Sequence, residues 1–242
     1  MVVSHMRNSN VQSYQKMSIF VSYYKKKAME LIFATQNKGK LREAQEICDV
    51  LGARYGVQVT VLPMPEKADI PETGSSYMEN SMQKAQWIWE RYGASCFADD
   101  SGLEVEALGG APGIHTARYC HRDFASGMDS LLYELEQKGA LEPQQRRASF
   151  ECCITLMLSP DDAPQGVEPG KPLFFEGHCQ GRISPCKCGD QGFGFDPVFM
   201  PDAHPDMCMA QLDDSVKNLI SHRGLALEQM FRFLANKKQQ AE

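Results

Sequence analysis

The chain has 242 residues, 43% of them apolar and 23% charged, a composition that suits a folded globular protein and excludes a wholly disordered or fibrous one. Its 25 basic and 31 acidic residues give a net charge of −6; residues 1 to 28 hold Arg7, Lys16, Lys25, Lys26 and Lys27 with no acid, which leaves 20 cations against 31 acids in the remainder. A body this acidic has no basic footprint for nucleic acid, and no apolar run approaches the roughly 20 residues that cross a bilayer, so neither is expected as a partner.

Residues 1 to 28 are polar and aperiodic, and are expected to be a disordered extension ahead of a single domain over 29 to 242. Met29 stands just before the first strand, as an internal start would. The 9 cysteines are scattered and odd in number, a pattern that points to reduced thiols and a cytoplasmic location. Cys179, Cys186 and Cys188 lack a second cluster to complete a zinc site, and are read as buried or incidental thiols.

In chain order, Leu31 to Ala34 reads as a buried strand, followed by a helix with Leu41, Ala44, Cys48 and Leu51 on one face. Val57 to Leu62 alternates as a strand. Pro71 to Ser75 introduces a helix running to about Tyr92, with Tyr77, Ser81, Ala85, Ile88 and Tyr92 on one side. Cys96 to Ala98 is a short buried strand, and a helix surrounds Leu131, Leu132 and Leu135. Phe150 to Leu158 and Leu173 to Ile183 form an antiparallel hairpin with a long connection. A last helix starts near Ser221, its N-cap, and carries Leu227, Met230, Phe231 and Leu234. The class is α/β with a mixed sheet.

Four segments carry polar residues suited to chemistry. Thr35-Gln36-Asn37-Lys38-Gly39-Lys40 joins a strand to a helix, where unpaired N–H groups and two lysines favour an anion such as phosphate, although a capped turn has the same composition. Asp99 and Asp100, followed by Ser101 and Gly102, place two carboxylates at the mouth of the sheet. Adjacent strand residues point to opposite faces, so both acids serve one magnesium only if the strand breaks at Gly102; Glu72 is a third candidate ligand. Phe193-Gly194-Phe195-Asp196 sets two rings beside a carboxylate, able either to stack on a base or to pack as an aromatic turn. Lys217, His222 and Arg223 gather cations around the start of the last helix, an unfavourable place unless an anion or polar ligand is present. Arg118 approaches a phosphate or pairs with an acid.

Together, Thr35 to Lys40, Ala98-Asp99-Asp100-Ser101-Gly102-Leu103 with Leu108-Gly109-Gly110-Ala111-Pro112-Gly113, Phe193 to Pro197, and Ser221-His222-Arg223-Gly224 resemble the inosine triphosphate pyrophosphatase family in order and spacing. The resemblance runs from about Leu31 to Leu234. It implies two lobes around a long mixed sheet with substrate in the cleft between them, a homodimer, and magnesium-dependent hydrolysis of ITP, dITP and XTP to monophosphate and pyrophosphate, which cleanses the nucleotide pool. By the same resemblance Asp100 is the catalytic acid; Asp100, Asp99 and Glu72 are the metal positions. Thr35, Gln36, Asn37, Lys38, Gly39, Lys40 and Ser101 face the phosphates, and Phe193, Gly194, Phe195, Asp196, Lys217, His222 and Arg223 gather around base and sugar, with Arg223 the donor to a 6-keto oxygen. Gln36 stands where the family has glycine and Phe195 where it has Tyr or Trp. The competing readings are a Maf-type pyrophosphatase of modified nucleotides and a nucleotide-binding sensor without catalysis.

Overall fold

The computed structural model describes residues 28–239, so the expected N-terminal extension, Ala28 apart, lies outside the described residues. The strands are β1 (Met29–Phe33), β2 (Val59–Leu62), β3 (Cys96–Val105), β4 (Pro112–Gly113), β5 (Arg147–Met157), β6 (Leu173–Ile183) and β7 (Phe199–Pro201). The helices are α1 (Lys38–Tyr55), α2 (Tyr77–Tyr92), α3 (Gly127–Gln137), α4 (Asp214–Ile220) and α5 (His222–Gln239). The strands form one mixed sheet in the order β2-β1-β3-β5-β6-β7, with β4 paired to β3. β2, β1 and β3 are mutually parallel; β3, β5, β6 and β7 are antiparallel in turn. No helix among the described residues is long and apolar enough to cross a membrane.

The two-lobed plan is written along the strands. On one face of β3 the alternate residues are Phe97, Asp99, Ser101, Leu103 and Val105, an apolar row interrupted by two polar positions. Phe97 joins a core with Leu31, Phe33, Ile154 and Leu156, covered by Ile47 and Leu51 of α1 and by Leu227, Met230 and Phe231 of α5. Leu103 and Val105 join a second core with Phe150, Val198 and Phe199, covered by Leu131 and Leu135 of α3. Asp99 and Ser101 therefore lie between two cores, in the cleft expected from the sequence. On the opposite face, Cys96 and Ala98 pack with Ile32 and Ala34 under Ala85 and Ile88 of α2.

The elements fall where apolar periodicity places them, with three corrections. β3 does not stop at Ala98 or break at Gly102: it runs unbroken to Val105, laddered to β5 from Cys96↔Met157 to Val105↔Ala148. Gly102 serves close approach instead, since a Cβ there would stand 2.3 Å from the Gly113 carbonyl oxygen of β4 and 2.7 Å from Tyr77 Oη. The loop before β4 turns back through Gly109 and Gly110, whose φ values of 65° and 89° favour glycine. The second correction concerns the last helix, which is preceded by a separate short helix, α4, that carries Lys217; Ser221 caps α5, its Oγ accepting from Gly224 N at 3.0 Å. Third, Cys188 and Cys208 form a disulfide, against the expectation of reduced thiols throughout; the other seven cysteines are free. Folding brings the two together because the segment after Cys188 packs on the turn after Cys208, with Gln191 N donating to the Ala210 carbonyl at 3.3 Å. Among the described residues no group of three His, Cys, Asp or Glu side chains stands ready for a metal, and Cys179 is core.

The start of α5 rides directly on β6. A Cβ at Gly177 would lie 2.1 Å from the His222 carbonyl oxygen and 2.5 Å from Ala226 N, both backbone atoms, so no side chain there can move aside. Gly177→Ala is accordingly expected to cost about 1–3 kcal/mol of stability by overpacking, read as a lowered Tm and urea midpoint.

Candidate active site

The site is built where β3 is bare along one edge. β1 pairs with β3 only at Ile32↔Cys96 and Phe33↔Phe97, and β4 only from Leu103↔Gly113, so no described strand flanks Asp99 to Gly102 on that side. Side chains from both faces reach this notch. It lies at the carboxyl end of β1, where α1 begins.

Asp99 points to the face of α1 and α5, and is 1% exposed. Its Oδ1 accepts from Lys40 Nζ at 3.1 Å, and its Oδ2 from Arg223 Nε at 3.0 Å and Nη2 at 2.7 Å. Burial alone would raise its pKa, but Lys40, Arg223 and Lys84 outweigh that and hold the carboxyl well below the usual range. Asp100 points to the opposite face, toward α2. Its Oδ1 meets Lys84 Nζ at 3.2 Å and its Oδ2 accepts from Asn80 Nδ2 at 3.1 Å. Burial pushes the Asp100 carboxyl above its ordinary value against the opposing pull of Lys84 and Asn80. Lys84 Nζ also donates to Glu72 Oε1 at 2.5 Å, so one ammonium joins Glu72 to Asp100. Burial would lower the Lys84 pKa, and is overcome by Asp100, Asp99 and Glu72, which raise it. Arg118 Nη2 stands 3.7 Å from Glu72 Oε2, the acid-pairing role considered for it.

The structure thus separates the three acids proposed for one metal. Glu72 and Asp100 converge on a shared cation; Asp99, on the other face of an unbroken strand, is held by Lys40 and Arg223. The loop before α1 is also more self-sufficient than its sequence suggests. Asn37 is the N-cap, and its side chain accepts from Gly39 N at 2.8 Å and Lys40 N at 3.2 Å, occupying two of the N–H groups read as free for an anion. Thr35 Oγ1 accepts from Asn37 N at 3.2 Å, Lys38 is exposed, and Gln36, in the place of the family glycine, donates to the Ala68 carbonyl.

At the other end of the cleft the two rings part. Phe195 is buried in the second core near Tyr119, so it packs instead of presenting a stacking face. Phe193 is exposed, its ring 5.1 Å from Lys217 Nζ and 5.9 Å from Arg223 Cζ, beside Gly39. Asp196 Oδ2 accepts from Phe193 N at 2.8 Å and Lys217 Nζ at 2.9 Å, an arrangement that fixes the aromatic loop to α4. The tight turn at Gly194, φ 64°, lies between the rings. His222 stacks on Phe150 at 4.8 Å; burial and then Arg223 depress its pKa, so the imidazole is neutral, and its buried Nδ1 has no hydrogen-bond partner. Arg223, 1% exposed, has its guanidinium on Asp99 and Glu43 and reaches Ser101 Oγ at 3.4 Å. It enters the site through these carboxylates and its flank under Phe193.

Sequence reasoning missed Asn80, Lys84 and Glu43. Each is a polar residue placed in a buried stripe: Asn80 and Lys84 are four apart, beside Ser81 and Ala85, and Glu43 precedes Ala44 and lies three after Lys40. A polar side chain in register with a core-facing stripe is the signal that would have found them.

The Ham1 family model matches residues 31–233. A dITP/XTP pyrophosphatase of Porphyromonas gingivalis is 40% identical over 209 residues, covering 85% of this chain and 97% of that protein. One of Halalkalibacterium halodurans is 40% identical over 207 residues, covering 85% and 98%. A solved HAM1 protein from Coxiella burnetii superposes with a TM-score of 0.70 at 35% identity, covering 86% of this chain and 99% of that one.

The Asp99 environment makes a pH-dependent expectation. A carboxylate whose folded pKa is depressed contributes stability that is present above its unfolded pKa of about 3.9 and is lost as pH falls toward the folded value. Asp99→Asn, which leaves Arg223 and Lys40 short of an anion, should therefore cost about 3–5 kcal/mol at pH 7, and the gap from wild type should narrow below about pH 4. Urea unfolding of both proteins across pH 3 to 7 measures this.

Proposed function

The chain belongs to the Ham1 family, and from that membership we propose that it hydrolyses the non-canonical purine nucleoside triphosphates ITP, dITP and XTP to the monophosphate and pyrophosphate. The observation that carries the reading is the group formed by Asp100, Lys84 and Glu72 at the notch in β3: a carboxylate made more basic by burial, beside a buried ammonium. The Maf-type alternative has no observation in its favour, and an intact Asp100 argues against a sensor without catalysis.

In this reading the triphosphate enters along the start of α1, where Lys38 and Lys40 supply charge in an otherwise acidic body. Asp100 accepts the proton of the water that attacks the α-phosphorus, and pyrophosphate leaves. Lys84 fixes the Asp100 carboxylate through Oδ1 and Asn80 fixes it through Oδ2, so the base keeps one orientation. Glu72 and Asp100, the two hard carboxylates that share the Lys84 ammonium, are the donor set that would hold magnesium, and the metal would supply Lewis-acid neutralisation of phosphate charge there. Asp99 does not belong to that set; it anchors Arg223 and Lys40. The purine is placed against Phe193, with the neutral His222 as the polar contact left open at that end. Homodimerisation belongs to this proposal through the family resemblance.

A pyrophosphate-release assay over ITP, dITP, XTP, GTP, ATP and dTTP, with and without Mg2+, tests the reading. Release is expected for the three non-canonical purines, much weaker for ATP and dTTP, and dependent on the metal; no release from any nucleotide overturns it. Asp100→Asn should lower kcat by at least about a hundredfold, the scale of general-base catalysis, while the Tm stays close to that of wild type.

A further inference from the structure

Apart from the Lys84, Asp100 and Glu72 group, the buried charges on the α1 and α5 side of the cleft form an alternating chain. Lys40 meets Asp99, Asp99 meets Arg223, Arg223 meets Glu43, Glu43 meets Lys217, and Lys217 meets Asp196. Glu43 is the middle anion, 7% exposed, with one oxygen on Arg223 Nη1 and the other 3.4 Å from Lys217 Nζ. It divides the chain into a half on the sheet, where Asp99 is part of β3, and a half off the sheet, where Lys217 of α4 holds Asp196 and Asp196 holds the backbone of Phe193. The exposed Phe193 ring lies over both cations that Glu43 separates. Without the Glu43 charge, an ammonium and a guanidinium face each other in a buried place with no anion between them, and the aromatic loop is tied to one of the two.

We propose that Glu43 is a specificity-positioning residue: by holding Lys217 and Arg223 together beneath Phe193, it fixes where the purine base lies relative to the phosphate end, without itself touching substrate. The inference rests on the nucleotide reading of the site. A residue acting this way governs the fit of the base, and so changes KM and discrimination between purines more than the chemical step, which belongs to Asp100 on the other face of β3.

The test is kcat and KM for ITP, XTP, GTP and ATP in wild type, Glu43→Gln and Glu43→Asp, together with Tm. Glu43→Gln keeps the volume and loses the charge; KM for ITP should rise about tenfold, kcat should fall less than about threefold, and the ITP to ATP ratio of kcat/KM should shrink about tenfold. Glu43→Asp, which restores the charge at shorter reach, should recover part of that ratio, and it serves as the deciding variant if Glu43→Gln does not fold. A merely structural Glu43 would lower Tm and leave the ratio intact, and that result overturns the proposal, as does a fall in kcat at constant KM. Wild-type turnover of ITP separates the two readings: with turnover and an unchanged ratio only the Glu43 proposal fails, whereas a wild type inactive on every nucleotide removes the function and this inference with it.

Discussion

Two adjacent carboxylates in the middle of a sheet must be compensated from opposite sides. Strand geometry sends Asp99 one way and Asp100 the other, and neither can be left in a buried place without a cation. Much of the architecture around β3 answers that demand. α1 and α5 bring Lys40 and Arg223 to one face; α2 brings Lys84 to the other, with Asn80 a turn earlier. The result is a division of labour between identical side chains. Asp99, surrounded by three positive groups, is kept a permanent anion, while Asp100, with burial dominant, is the more basic of the two.

Most of the fold was legible because apolar periodicity reports burial. Leu41, Ala44, Cys48 and Leu51 mark the inner face of α1, and Leu227, Met230, Phe231 and Leu234 that of α5; all but Leu41 are buried. The hairpin of β5 and β6 could be read from two long runs around a polar connection. The true length of β3 could not, because its outer half reads Asp-Asp-Ser-Gly, a composition of turns. Those residues are held in a strand by the β5 ladder, and pairing with a distant segment leaves no local mark. The same limit hid the roles of single side chains. Phe193 and Phe195 are two apart in one loop and look equivalent in sequence, yet one is exposed over two cations and the other is part of a core. The two cations at the end of α4 and the start of α5 looked unfavourable for a helix start; the acids that balance them, Asp99, Glu43 and Asp196, come from three separate parts of the chain.

A buried chain of alternating charges is a poor source of net stability, because desolvation offsets much of the attraction. Its value lies in geometry. Asp99 and Glu43 each meet cations from two different elements, and Asp196 joins Lys217 of α4 to the backbone of Phe193, so a shift of any one element breaks a buried contact. That makes the cleft a set of mutually fixed distances, supported by two apolar cores that could not supply directional contacts by themselves.

The strands that carry these groups also carry both cores. On β5, Ala148 and Phe150 belong to one core and Cys152, Ile154 and Leu156 to the other, on successive inward positions of the same ladder. The lobes consequently have no interdomain linker and no hinge peptide in β3, β5 or β6. Any narrowing of the cleft around a ligand has to come from a change in the coiling of the sheet, shared over many residues, in the manner of a bent spring and not of a closing door. Amides along β5 and β6 would then remain protected throughout such a motion, since a ladder can flex without opening its hydrogen bonds.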